Sequence, residues 1–406
     1  MTSWGNHRMS SDVSSAPKTR NKGRITSLDG LRGIAALVVL LNHALLIFPS
    51  FSAAYQEPGS ATPSSWAWWL TATPLVGLWS GTEAVRIFFI LSGLVLALPL
   101  LGGATVDWKS WYPRRLLRLY VPTWVAVAIA LALFMIIPRV ENPAASSWIN
   151  DHSRNMSVGE FIGPFTLLFG ETGFLLSPLW SLKWEVVFSL LLPLYFWVML
   201  RTRRHPLLQV CVLTVASLAG YVLGIDTLKY MPFFGFGILL AQNINQVEGV
   251  TRAWGRTQWA VVTAVSLVLL PAQHYRGLLS EELVGSRVLD ILQALLFVPA
   301  TIAAVGVVII CGWSPLAKKM LTLPAVQWLG TRSFSLYLIH ETLVVSAAVA
   351  FGPSNLWLAL PAILVVSLFA AEVFFRCVER PSHRLSKLGK KDTPPLVAGR
   401  GTHAAL

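Results

Sequence analysis

Ten long runs of apolar residues constrain this chain more than any other feature of its sequence. An α-helix needs about 20 mainly apolar residues to cross the hydrocarbon core of a bilayer. Hydrophobic residues make up 54% of the chain and charged residues only 13%, about half the charged fraction of a typical soluble domain. The sequence therefore predicts an all-α, polytopic membrane protein with about ten transmembrane helices. The predicted spans lie near residues 30–48, 83–101, 119–138, 179–200, 206–224, 227–242, 257–272, 288–311, 334–351 and 355–376.

The apolar segment 161–176 is not one of these spans. It is interrupted by Gly163-Pro164 and by Gly170, so we expect a re-entrant or interfacial piece. Residues 28–381 are predicted to form one transmembrane domain. We expect residues 1–27 to be a basic cytoplasmic segment and residues 382–406 to be a disordered cytoplasmic tail.

The formal net charge of +13 is distributed mainly on one side of the predicted membrane. With a cytoplasmic N-terminus, 24 of the 32 Lys and Arg residues fall in cytoplasmic segments and five on the opposite side. Such a bias predicts that both termini are cytoplasmic and that the protein is a multi-pass protein of the inner (plasma) membrane. The basic charge is thus an orientation signal, and we expect no nucleic-acid partner.

Two ionisable residues share one face of the first predicted span. Arg32 and His43 are eleven residues apart, which is three helical turns plus about 20°, and about 16 Å along the axis. An imidazole at that depth can act as a general base near neutral pH. The alternatives are a snorkelling anchor for Arg32 and an interhelical hydrogen bond for His43.

Further charged residues interrupt the second and fourth predicted spans. Glu185 lies near the outer end of the fourth span, where it needs a partner. Arg86, in the second span, can pair with Glu185 or with Glu83 one turn away. A purely structural ion pair is the alternative to a functional role for Glu185 and Arg86.

The ninth predicted span also carries polar groups. Tyr337, His340 and Glu341 interrupt its apolar run, and the start of this span at residue 334 puts them nearer the cytoplasmic side.

Three arginines precede the third predicted span in the segment WYPRRLLRLYVP. Arg115 and Arg118 are about one turn apart, so their planar guanidinium groups can grip phosphate oxygens together. The alternative is that Arg114, Arg115 and Arg118 serve membrane topology alone.

Depth along the spans suggests which of these groups meet. His43 lies about 20 Å from the cytoplasmic edge at 1.5 Å per residue. Glu185 lies about 21 Å from the same edge if the hydrocarbon layer is about 30 Å thick. We therefore expect His43 and Glu185 to meet in one cavity in the outer half of the membrane.

The motifs together resemble the acyltransferase-3 family of integral membrane O-acyltransferases. The resemblance covers residues 24–381 and rests on LDGLRGIAALVVLLNH, FFILSG, RRLLRLYVP, PLWSLKWE, SLYLIH and VERP, in the order expected for the family. It implies transfer of an acyl group, usually acetyl, from cytoplasmic acyl-CoA to a hydroxyl of a surface carbohydrate, a lipid-linked sugar or a secondary metabolite.

The resemblance also implies roles for particular residues. The expected catalytic residues are His43, Glu185 and Arg32, and the expected donor-binding residues are Arg115 and Arg118. We expect no metal and no permanently bound cofactor, since acyl-CoA would be a donor substrate. The residues expected near the substrate are Arg86, Ser92, Tyr337 and His340.

One position departs from the family pattern, because Arg86 stands where many members have an Asp just before the FF(I/V)LSG motif. The acceptor is therefore expected to differ from that of polysaccharide-modifying members.

Two other functional classes stay open on the residues alone. A proton-coupled exporter would use the intramembrane His, Glu and Arg as a relay, and a membrane scaffold would need no aligned His and Arg.

Overall fold

The fold is described from a computed structural model that covers residues 25–57, 59–103, 106–153, 156–279 and 285–386. Within these ranges every regular element is a helix, which confirms the predicted all-α class. Most of the predicted terminal segments, 1–27 and 382–406, lies outside the described residues. The α-helices are α1 (Thr26–Leu46), α2 (Pro49–Gln56), α3 (Trp66–Thr71), α4 (Gly81–Leu101), α5 (Trp108–Ile136), α6 (Ser147–Asp151), α7 (Val158–Thr166), α8 (Leu179–Arg201), α9 (Pro206–Leu223), α10 (Asp226–Gln242), α11 (Ile244–Arg252), α12 (Arg256–Leu269), α13 (Ser286–Trp313), α14 (Pro315–Leu321), α15 (Pro324–Phe351), α16 (Leu356–Phe374) and α17 (Arg380–Leu385).

Eight helical segments in the described ranges are long and apolar enough to cross a membrane. They confirm a polytopic membrane protein and comprise α1, α4, α5, α8, α9, α13, α15 and the continuous segment Pro353–Leu385, which contains α16 and α17. The other two predicted spans form α10, with 17 residues, and α12, with 14 residues. The count of ten and the cytoplasmic termini stay predictions.

Helix α10 nevertheless runs beside α4 for most of its length. The ring of Phe89 lies 6.0 Å from that of Tyr230, and twelve residues further along both helices Leu101 and Gln242 line the same cavity. The two helices are therefore parallel, as alternating spans two and six of a ten-span arrangement would be.

Two helices begin well before the predicted spans. Helix α5 begins at Trp108, capped by the Asp107 side chain, which accepts a hydrogen bond from the Lys109 N–H at 3.2 Å. Helix α15 begins at Pro324, ten residues before the predicted start. In both helices the residues before the predicted span include charged groups, such as Lys109 and Arg114 in α5 and Arg332 in α15. A hydropathy window therefore omits these segments although their backbone hydrogen bonding is already helical.

The interrupted segment 161–176 contains no long helix. Helix α7 has nine residues, starts with a capping box formed by Ser157 and Glu160, and ends at Thr166; the next residue, Leu167, has a left-handed φ of 59°. Nine residues rise about 14 Å, too little to cross a bilayer, in agreement with the prediction of a segment that does not span.

Close backbone packing joins α1 to α15. A Cβ atom at Gly33 would meet the backbone of Leu329 and Gly330, and one at Gly330 would meet the backbone of Asp29. Small residues allow helix axes to approach in this way within membranes. Ten residues further along both helices, His43 and His340 are in contact, so α1 and α15 are parallel and in register.

A second close contact joins α4 to α10. The position of a Cβ at Gly93 is occupied by the backbone of Phe234, and that of a Cβ at Gly237 by the backbone of Ile90 and Leu94. Neither obstacle is a flexible side chain, so the helices must move apart to admit even a methyl group.

We predict that Gly93→Ala destabilises the protein by about 1–3 kcal/mol, as overpacking of a well-packed interior does. The change in unfolding temperature is measured by heating the detergent-solubilised protein and monitoring the folded fraction by size-exclusion chromatography. Gly249→Ala in α11 is the matched control, because its Cβ would meet no atom within 4 Å. Equal unfolding temperatures for the two variants would contradict the close α4–α10 contact.

Candidate active site

His43 lies near the C-terminal end of α1, which is predicted to be the outer end, and packs against aromatic rings. Its ring stacks on Trp148 at 5.2 Å and on His340 at 5.0 Å, and the residue is only 8% exposed. Trp148 belongs to the short α6 of the loop between α5 and α8. The predicted base is therefore held between a membrane helix and the loop that joins α5 to α8.

Glu341 is the carboxylate that faces His43. Its Oε2 lies 3.1 Å from His43 Nδ1 and accepts a 2.5 Å hydrogen bond from the Ser177 hydroxyl. Its Oε1 accepts the Ser177 N–H at 2.8 Å and lies 3.1 Å from His152 Nε2. Glu341 is fully buried, yet both oxygens are satisfied. We call His43, His152, Ser177, His340 and Glu341 the outer cluster.

The hydrogen bonds of His340 determine the tautomer of His43. Nδ1 of His340 donates to the Leu336 carbonyl at 2.8 Å, so Nε2 of the neutral ring is an acceptor. That Nε2 lies 3.0 Å from His43 Nδ1. The proton of His43 is thus on Nδ1, shared between His340 and Glu341, and Nε2 keeps its lone pair. Such an imidazole can take a proton from a hydroxyl group.

Glu185 belongs to a second group of polar residues. It pairs with the Arg115 guanidinium and accepts a 2.6 Å hydrogen bond from the Ser92 hydroxyl. Ser189 accepts a hydrogen bond from Arg115 Nε at 3.2 Å and donates to the Glu185 carbonyl at 2.7 Å. We call Ser92, Arg115, Glu185 and Ser189 the inner cluster.

Among the described residues no hydrogen bond or ion pair joins His43 to Glu185, so their meeting in one cavity stays a prediction. Among the described residues His43 contacts Glu341, and the contacts of Glu185 are those of the inner cluster. Depth estimates locate residues along the membrane normal, but they do not determine which helices are neighbours or which faces they present.

The predicted level of His340 and Glu341 is corrected. Because α15 begins at Pro324, His340 is sixteen residues from its start, a rise of about 24 Å at 1.5 Å per residue. It therefore lies level with His43 rather than near the cytoplasmic side.

Tyr337 connects the two clusters. Its hydroxyl lies 2.6 Å from the Ser181 hydroxyl and 3.2 Å from the Pro178 carbonyl. Tyr337 lies one turn from Glu341 on the same face of α15, and Ser181 lies one turn from Glu185 on the same face of α8. A continuous polar column thus runs from the outer cluster to the inner cluster.

Of its two predicted partners, Arg86 pairs with Glu83, which lies on the same helix. It donates to Glu83 at 2.8 Å and to Gln273, and its guanidinium lies 5.0 Å from the Phe297 ring centre. Both terminal nitrogens are engaged within the bundle. Burial, with the nearby charge of Arg86, lowers the pKa of His274 in the adjoining loop to about 4, so this histidine is neutral at pH 7.

The remaining predicted arginines differ in how far they are engaged. Arg32 lies 3.8 Å from Asp29 on the same face of α1. Arg118 is exposed on α5 and makes no hydrogen bond within the described ranges. The charges of Arg115, Arg32 and Glu379 act on it electrostatically. Of the two arginines predicted to grip phosphates, Arg118 has a free guanidinium, whereas Arg115 is held by Glu185.

Sequence reasoning missed Trp148, His152 and Ser177 and gave Glu341 no role. Glu341 was detectable by the criterion that selected Glu185, since it interrupts an apolar run. Ser177 begins a set of polar residues spaced by four, but Trp148 and His152 lie in a loop without periodicity. The polar residues spaced by four are Ser177, Ser181, Glu185 and Ser189.

In the part of the chain that the structure describes, no group of three or more His, Cys, Asp or Glu is arranged to hold a metal ion.

Comparison with known proteins identifies relatives of nearly the whole chain. A family model described as an acyltransferase domain, acyltransferase-3, matches residues 25–376. Peptidoglycan O-acetyltransferase OatA of Listeria monocytogenes is 24% identical over 395 residues, which cover 88% of this chain and 55% of that protein. The chain thus spans about half the length of this relative.

Two further relatives have names that specify acyl transfer alone. Acyltransferase MdmB of Streptomyces mycarofaciens is 30% identical over 173 residues, 43% of this chain and 39% of that protein. Acyltransferase clz18 of Cochliobolus lunatus is 22% identical over 410 residues, 83% of this chain and 85% of that protein. No solved structure matches the chain.

A double-mutant cycle measures how strongly Arg115 and Glu185 depend on each other. Because their side chains are each only 18% exposed, we predict that Glu185→Gln and Arg115→Gln are coupled by about 1–3 kcal/mol in thermal unfolding. The control cycle uses Glu248 and Arg252, an exposed pair on α11, for which about 0–1 kcal/mol is expected. Additive effects at Arg115 and Glu185 would exclude a structural ion pair.

Proposed function

The chain belongs to the acyltransferase-3 family, and we propose that it is a membrane O-acyltransferase. Its donor is acyl-CoA, with acetyl as the acyl group, and the donor enters from the cytoplasmic side. Its acceptor is a hydroxyl of a surface carbohydrate, a lipid-linked sugar or a secondary metabolite. The protein acts in the inner (plasma) membrane. The observation that carries this proposal is the outer cluster, whose hydrogen bonds put the His43 proton on Nδ1 and leave Nε2 unprotonated.

The proposed reaction uses His43 as a general base. Nε2 takes the proton of the acceptor hydroxyl while the hydroxyl oxygen attacks the thioester carbonyl carbon. The carbon–sulfur bond breaks, the acyl group becomes an ester of the acceptor, and His43 returns the proton to the CoA thiolate. Glu341 favours the imidazolium that exists between these steps, because its carboxylate lies beside Nδ1.

The arginines at the other end of the polar column support the proposed donor site. Arg118 has a free guanidinium, and Arg32 lies within its electrostatic range. Planar guanidinium groups bind phosphate oxygens in a bidentate manner. With the phosphates held there, the acyl arm lies along the column and the thioester reaches the level of His43.

The names of the relatives bear on acceptor and class. OatA is named a peptidoglycan O-acetyltransferase, which supports a carbohydrate hydroxyl as acceptor. All three relatives are named acyltransferases, and this does not favour the alternative of a proton-coupled exporter. The outer cluster lies at the membrane face where an acceptor outside the cell would enter.

We predict that His43→Gln lowers the rate of CoA release from labelled acetyl-CoA by at least about 100-fold, the usual contribution of a general base. The assay uses purified protein in nanodiscs with a hydroxyl acceptor. His205→Gln, at an exposed histidine between α8 and α9, is the matched control. The thermal stability of the two variants should agree. Near-normal turnover by a correctly folded His43→Gln protein would exclude this base.

Neighbouring arginines of α5 provide a test of the donor site. We predict that Arg118→Gln raises the KM for acetyl-CoA about tenfold with little change in kcat, because one phosphate contact is lost. A tenfold change in affinity corresponds to about 1.4 kcal/mol of binding free energy. Arg114→Gln, whose native side chain donates to the Ser110 carbonyl at 2.7 Å, is expected to leave the KM unchanged. Equal KM values for both variants would remove Arg118 from the donor site.

A further inference from the structure

A polar cavity of about 320 Å³ opens where α4, α8 and α10 end. These ends lie on the face predicted to be cytoplasmic. The cavity shares no residue with the outer or inner cluster, so the reaction derived above does not use it. Its lining residues are Leu101, Arg203, Arg204, Gln242, Asn243 and Gln246.

The charge of this lining has one sign. Arg203 and Arg204 are consecutive residues in the turn between α8 and α9, and no acidic residue lines the cavity. Neither guanidinium makes a hydrogen bond or an ion pair within the described ranges. Two adjacent cations without a counter-ion attract an anion, and guanidinium groups favour phosphate oxygens.

Gln242 adds an observation that membrane topology does not explain. Both polar atoms of its amide are shielded from solvent and lack a hydrogen-bond partner among the described residues. Buried polar groups in folded proteins are almost always paired. A positive-inside signal requires positive charge alone, whereas a buried amide beside two arginines provides a neutral donor for an oxygen ligand.

We propose that this cavity binds a phosphate group. Arg203 and Arg204 neutralise its charge, and the Gln242 amide, which lacks a partner among the described residues, turns towards the cavity to donate to one of its oxygens. The phosphate belongs either to the headgroup of an anionic phospholipid or to the nucleotide part of CoA. The lipid alternative goes beyond the proposed acyl transfer, whereas the CoA alternative rests on the proposed donor. In both cases binding is measured without turnover.

Two probes distinguish the sources of the phosphate. Native mass spectrometry measures retention of phosphatidylglycerol by the full chain. Calorimetry in phosphatidylcholine nanodiscs measures binding of CoA and of dephospho-CoA, which lacks the 3′-phosphate. The double variant Arg203→Gln/Arg204→Gln removes the charge, and Gln242→Leu removes the amide while keeping a similar side-chain size. The matched control, Arg252→Gln/Arg256→Gln, removes the same charge from α11 and α12.

We expect both cavity variants to weaken one probe at least tenfold while the control binds as the wild type does. Weaker phosphatidylglycerol retention alone assigns a lipid headgroup, and weaker CoA binding with unchanged dephospho-CoA binding assigns the nucleotide phosphate. The proposed site would be overturned if either cavity variant bound all probes as the wild type does. It would also be overturned if the control variant weakened probe binding as much as the cavity variants do. Thermal unfolding of each variant verifies that the chain is folded.

Discussion

The close packing of α1 against α15 is the contact on which the candidate active site depends. At Gly33 and Gly330 the two backbones leave no room for a Cβ atom. Because the helices are parallel, this contact aligns the residues that follow, and ten positions later His43 Nδ1 lies 3.0 Å from His340 Nε2. A larger residue at either glycine would separate the axes and lengthen that hydrogen bond. The tautomer of the proposed base is thus determined by a contact about 15 Å away.

Pairing, rather than exposure, makes the buried charges tolerable. A carboxylate removed from water is costly unless its oxygens accept hydrogen bonds. Glu341 meets this condition through groups from α1, the loop after α6 and the residues before α8. Arg86 meets it within its own helix, since Glu83 is one turn away. The outer cluster therefore joins four segments, whereas the charge of Arg86 is balanced by Glu83 on its own helix and its guanidinium also donates to Gln273 in the loop before α13.

This difference explains what the sequence could predict. The Arg86–Glu83 pair follows from i, i+3 spacing, and His43 stands out as an imidazole in an apolar span. The partner of His43 could not be derived in this way, because helix adjacency is a tertiary property. The first residues of α5 and α15 fall outside hydropathy windows because charged residues interrupt them, which placed Arg115 before the third span and His340 towards the wrong side. The spacing of Ser177, Ser181, Glu185 and Ser189 by four was a readable signal of a polar helix face.

The antiparallel arrangement of α8 and α15 gives that polar face its importance. As α8 descends from Ser177 to Ser181, α15 is matched at Glu341 and then at Tyr337, so successive turns are joined by hydrogen bonds at the same levels. In the proposed reaction this column separates two tasks. Phosphate recognition needs permanent positive charge, which would favour the charged form of a nearby acid and disfavour that of a nearby imidazole. Because eleven residues of α1, about 16 Å, separate Arg32 from His43, the base keeps Glu341 as its charged neighbour.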